Sequence, residues 1–130
     1  MLATQGREME TLRIDPKKIE ELKELVDEDD PDFLIELLED YMDNSEENLK
    51  AIRYAIQAKD TVTVVRTAHT LKGASSNIGA VNMTELSDQL EHLGRGKTLE
   101  GAVELIDQLE GEFVEVKCEL EKETARAGKV

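Results

Sequence analysis

Residues 99–120 read LEGAVELIDQLEGEFVEVKCEL, and their apolar members Leu99, Ala102, Ile106, Leu109, Phe113, Val116 and Leu120 follow one another in alternating steps of three and four. An α-helix turns about 100° per residue, so these steps keep returning to one side and draw a narrow apolar seam. Such a seam is buried between the helices of an antiparallel bundle. Thr98, just before it, is the expected opening residue of this last helix.

The same period recurs upstream. DPKKIEELKELV, residues 15–26, reads as a short helix with Asp15 as N-cap, Pro16 in the first turn, and Ile19, Leu22, Leu25 and Val26 on one side. Asp30 and Pro31 repeat that start signal, and Leu34, Leu38, Tyr41, Leu49, Ile52 and Ile56 then predict a long helix to about Ala58, with Ser45 interrupting the apolar stripe. A third helix is expected from Asp60 or Thr61 to the stop at Gly79, with Val64, Ala68, Leu71 and Ser75 along one edge. The fourth is expected to be capped by Asn82 with Glu85 reaching back and Val81 stapled to Leu86, and to bury Met83, Leu86, Leu90 and Leu93 before GRGK breaks it.

The expected fold is therefore all-α, an antiparallel up-down four-helix bundle with a short extra N-terminal helix. The bundle should occupy residues 15–126, behind a loose arm over residues 1–14. A chain of 130 residues suits one domain and can bury roughly 65–70% of its unfolded surface. The outer faces are strongly acidic: 30 Asp and Glu against 16 Lys and Arg give a net charge of −14. That balance excludes nucleic acid as a partner, because affinity for phosphate backbones comes from cations. One cysteine, Cys118, rules out an intrachain disulfide and fits a reducing compartment; beside the apolar seam it is expected to be packed. Neither a signal peptide nor a membrane span is legible, so a cytoplasmic protein is expected, and because one bundle can use all the apolar residues, a monomer.

The chemistry concentrates in RTAHTLKGASSNIGA, residues 66–80. His69 lies about 100° from Ala68 and its buried edge, and so faces outward. Arg66 and Lys72 sit three residues to either side of it and Gly73 four beyond, on the same side of the helix. Residues 61–84 contain no Asp or Glu, where the chain's average would put roughly five, so a small positive patch surrounds the imidazole. It suits a single phosphoryl group. A glycine inside a helix costs about 1 kcal/mol relative to alanine. Gly73, followed by Ala74, Ser75 and Ser76, either admits another protein to His69 or lets a neighbouring helix pack closely.

AHTLKGASSNIG resembles the signature of the histidine-containing phosphotransfer domain of multistep two-component phosphorelays, His-x-Leu-Lys-Gly-x-Ser/Ala followed by an aliphatic residue and glycine. The resemblance implies a four-helix bundle with an N-terminal helix packed across it and the reactive histidine on the bundle's second helix. His69 then matches the phospho-accepting residue, with Leu71, Lys72, Gly73, Ser75, Ile78 and Gly79 at the remaining signature positions. Glu91, 22 positions later, falls where the family places a Gln or Glu against the unreactive ring nitrogen, and Lys72 and Arg66 would support the phosphoryl group. Gly73, Ser75 and Ser76 would give the partner access.

By the same resemblance the partner is a response-regulator receiver domain, or a hybrid histidine kinase, which brings Mg²⁺ and the catalytic apparatus. This chain would hold no metal or cofactor of its own and would be no enzyme in isolation. The alternative is a binding module that docks and sequesters a receiver domain or kinase without phosphotransfer. A metal site drawn from His69, Glu91, His92 and Cys118 has no Glu-x-x-His or Cys-x-x-Cys behind it. A phosphohydrolase would need machinery to activate water, and none is visible.

Overall fold

The computed structural model describes residues 13–25 and 31–127. Five helices follow one another: α1 (Pro16–Leu25), α2 (Pro31–Gln57), α3 (Thr61–Ile78), α4 (Val81–Arg95) and α5 (Ala102–Ala127). Helices α2 to α5 form the up-down bundle, α3 packing against α2 and α4, and α5 against α2 and α4. The short α1 lies on α3.

The seam of α5 is buried as its spacing requires: Ala102, Ile106, Leu109, Val116 and Leu120 are inaccessible and Phe113 nearly so. They meet Leu38 and Ile52 of α2, Val64, Ala68 and Leu71 of α3, and Met83 and Leu90 of α4 in one core. Each of the Val, Leu, Ile, Met and Phe side chains taken out of water contributes roughly 1.5–3 kcal/mol. A polar layer interrupts that core, where Tyr41 of α2 and Ser75 of α3 share a buried hydrogen bond of 2.7 Å. At the surface Arg53 ties α2 to α5, its guanidinium pairing with Glu110 at 2.7 and 2.9 Å and with Asp107.

The helix ends decide where the functional face sits. Asp60 caps α3, its carboxylate accepting from the Thr63 amide at 3.1 Å, and Gly79 ends the helix in the left-handed region at φ 77°. That glycine is also a landing point. The Asp15 amide donates to its carbonyl at 2.8 Å, Ile14 and Ala80 form an antiparallel bridge, and the Val81 amide donates to the Arg13 carbonyl at 3.1 Å. Asp15 caps α1 through the Lys17 amide at 3.0 Å.

Several expectations move. The segment expected to be a loose arm lies outside the described residues over 1–12, but Ile14 is buried and held by Ala80, so its end is anchored. The expected cap Asp30 and the apolar Val26 also lie outside the described residues. Helix α4 starts at Val81, before the expected cap, because pairing of Arg13 and Ile14 with residues 80 and 81 sets its first turn. Asn82 instead donates to Glu112 of α5 at 3.3 Å, and Val81 is exposed rather than stapled. Helix α5 starts at Ala102 rather than after Thr98, because Gly101 has φ 87°, which no right-handed helix accommodates. GRGK does not break α4 at its first residue, since Gly94 and Arg95 are still helical.

Candidate functional site

Helix α3 presents Val62, Arg66, His69, Gly73 and Ser76 along one exposed strip, at the spacing of successive turns. The His69 side chain is 63% exposed, while Glu91, reaching across from α4, is 5% exposed. Nδ1 of His69 lies 3.1 and 3.0 Å from the two Glu91 oxygens. An ionised carboxylate only accepts, so Nδ1 carries the proton and Nε2 keeps its lone pair. The nitrogen left free belongs to a side chain that is mostly exposed.

Glu91 has two further donors. Lys72 Nζ lies 2.7 Å from Oε1, and Arg95 places Nη2 at 2.6 Å and Nε at 3.0 Å from Oε2. Burial pushes the Glu91 carboxyl up, but the hydrogen bonds from Lys72, Arg95 and His69 outweigh it and hold it at about 2, against an ordinary 4.5. It stays ionised at any physiological pH. Lys72 also meets Asp88 of α4 at 3.2 Å, and its bonds to Glu91 and then Asp88 raise its pKa.

The approach of α3 and α4 depends on Gly94. A Cβ there would lie 2.7 Å from Cγ2 of Val65, one turn along each helix from the His69–Glu91 pair. At Gly73 the opposite holds, for a Cβ would meet nothing within 4 Å. The close-packing role left open for Gly73 therefore belongs to Gly94, and Gly73 opens onto solvent.

Residues 36–122 match the sequence profile of the Hpt domain. The chain belongs to the Hpt domain family. Among curated proteins it resembles histidine-containing phosphotransfer protein 2 of Arabidopsis thaliana, 30% identical over 117 residues that span 83% of this chain and 75% of the relative. It also resembles phosphorelay intermediate protein rdeA of Dictyostelium discoideum, 33% identical over 89 residues, 68% of this chain and 35% of that longer protein. Among solved structures, histidine-containing phosphotransfer protein B from Pseudomonas aeruginosa PAO1 superposes with a TM-score of 0.82 at 34% identity, over 89% of this chain and 97% of that one.

Within this Hpt domain the structure brings His69, Lys72 and Glu91 together as expected from the resemblance. Arg66 shares the exposed strip, but among the described residues no hydrogen bond joins its side chain to the ring, and its charge acts on Asp60 instead. Ser75 is corrected: it is inaccessible and bonded to Tyr41, so it cannot admit a partner. The residue belongs to the buried edge with Leu71. Ser76 and Gly73 are exposed. Cys118 is exposed too, because a residue midway between Val116 and Leu120 points about 200° from each.

Arg95 and Asp88 were missed. They stand four residues after and three before Glu91, spacing that puts all three on one helix face. His92 is exposed beside Asp88 and Gly96. No group of three or more His, Cys, Asp or Glu among the described residues could hold a metal, and no described helix is long and apolar enough to cross a membrane.

Proposed function

We propose that this Hpt domain is a phosphorelay intermediate, in which His69 takes a phosphoryl group from a receiver-domain aspartate, or from a histidine kinase, and passes it to another response regulator. The observation that carries the reading is the asymmetry of the ring: Nδ1 is held by a buried carboxylate while the side chain is 63% exposed on an unobstructed strip.

In the forward step the Nε2 lone pair attacks phosphorus and the P–O bond to the aspartate breaks, returning that carboxylate to its ionised form. The ring keeps its Nδ1 proton and becomes cationic, facing Glu91, which is already ionised to balance it. A neutral imidazole needs no separate base for this. Phosphoryl transfer otherwise depends on in-line positioning and neutralisation of the equatorial oxygens. Lys72 and Arg95 are cations already gathered on Glu91, the carboxylate bonded to the ring. The rest, including Mg²⁺ held in an acidic pocket, comes from the receiver domain, so the transfer is catalysed by the partner. Val62, Gly73 and Ser76 leave room for its approach.

Incubation with a phosphorylated receiver domain and Mg²⁺ should place label on this chain as an acid-labile, alkali-stable phosphoramidate, and His69→Gln should abolish it. Label on the variant would overturn the assignment. Binding without transfer would identify a sequestering module, and release of free phosphate a hydrolase.

A further inference from the structure

Resting on the phosphorelay reading, we infer that Asp88 is a positioning residue that competes with the phosphoryl group for Lys72, keeping the phosphohistidine weakly stabilised and ready to be passed on. In the resting site the formal charges of Glu91 and Asp88 cancel those of Lys72 and Arg95. Glu91 alone would leave one surplus cation beside the ring, and Asp88 takes it up. A phosphoryl group on Nε2 adds about two negative charges. Glu91 is buried and committed to His69, so it cannot turn away. The adjustable contact is Lys72 with Asp88: at 3.2 Å it is longer than the 2.7 Å contact with Glu91, and both side chains are partly exposed, at 30% and 50%.

Lys72 can therefore keep Glu91 and exchange Asp88 for a phosphoryl oxygen. Asp88 opposes that exchange. A carrier that bound its phosphoryl group with the full charge of Lys72 would store it, whereas one in which the lysine is contested releases it with less loss. Asp88 touches neither the ring nor the group transferred, and its effect passes through the lysine.

Phosphoramidate serves as the probe, because it charges histidine without any partner protein. Nε2 attacks phosphorus, the P–N bond breaks, and ammonia departs with the bonding electrons. The phosphoryl group's second proton dissociation is then followed by ³¹P NMR in the wild type and in D88N, D88E, K72Q and D88N/K72Q, variants that alter only partly exposed side chains. Relief of one exposed ion pair should raise the dissociation constant roughly two- to five-fold in D88N, as the freed lysine favours the dianion. D88E should restore the wild-type value, and D88N should have no effect in the K72Q background. Equal shifts with and without Lys72 would overturn the inference in favour of a through-space charge effect, and so would a D88N titration matching wild type, although both would leave the phosphorelay reading standing. Failure of phosphoramidate to charge wild-type His69, with free imidazole charged alongside, would overturn the inference, which needs a reactive Nε2 beside Lys72, while the receiver-domain assay decides the phosphorelay reading by itself.

Discussion

At the scale of single residues, Glu91 carries most of the site's physics. One buried carboxylate sets the tautomer of His69, gathers Lys72 and Arg95, and balances the ring when it becomes cationic. Its pKa is depressed in the folded protein, so its contribution to stability is fully present above about pH 4.5 and is lost as pH falls toward and through 2. Wild type should therefore exceed Glu91→Gln in urea midpoint at neutral pH, by a margin that narrows steadily below pH 4.5. A margin independent of pH would mean that the stabilisation comes from shape and neutral hydrogen bonding. His69 and its match to a signature were legible in the chain, and the resemblance pointed on to Glu91. The choice of Lys72 for Glu91 and Asp88 was not, because an acid-free window in sequence is not acid-free once α4 lies beside it.

Between elements, the contact of α3 with α4 is set by one missing methyl group. Two glycines on these helices are formally alike and physically opposite. An alanine at Gly73 enters open space, so Gly73→Ala should stabilise the protein by up to about 1 kcal/mol through helix propensity while slowing transfer from a receiver domain. Gly94→Ala must push Val65 aside, at a cost of about 1–3 kcal/mol that the same propensity only partly offsets. It should also weaken the His69–Glu91 bond, read as loss of the fixed tautomer in ¹⁵N spectra, and Val65→Ala should rescue both. Propensity reasoning could not separate the two glycines. The difference lies in a neighbour distant in sequence, which a helical period does not contain.

For the whole molecule, the charge of −14 is the dominant long-range term. Arg53 neutralises the α2–α5 face locally, yet the acidic excess remains and repels itself. Raising salt from about 0.1 M to about 1 M shortens the screening length from about 10 Å to about 3 Å. The urea midpoint should therefore rise with NaCl, and a fall would show that the ion pairs around Glu91 and Arg53 outweigh the repulsion.

The order of the helices and the buried faces of α2 to α5 were available from periodicity, since a seam stepping by three and four can be buried in few ways, whereas Leu25, expected on the apolar side of α1, is exposed at the end of that short helix. Helix starts were less secure. Asn82 and Thr98 have the side chains of caps, but the pairing of Arg13 and Ile14 with residues 80 and 81, and the positive φ of Gly101, place the starts elsewhere. Local chemistry along one helix thus put His69 outward with Arg66, Lys72 and Gly73 beside it. Only packing of α4 on α3 turned that histidine into a ring with one nitrogen held and one free, because a hydrogen bond spanning 22 residues exists only once the two backbones are in contact.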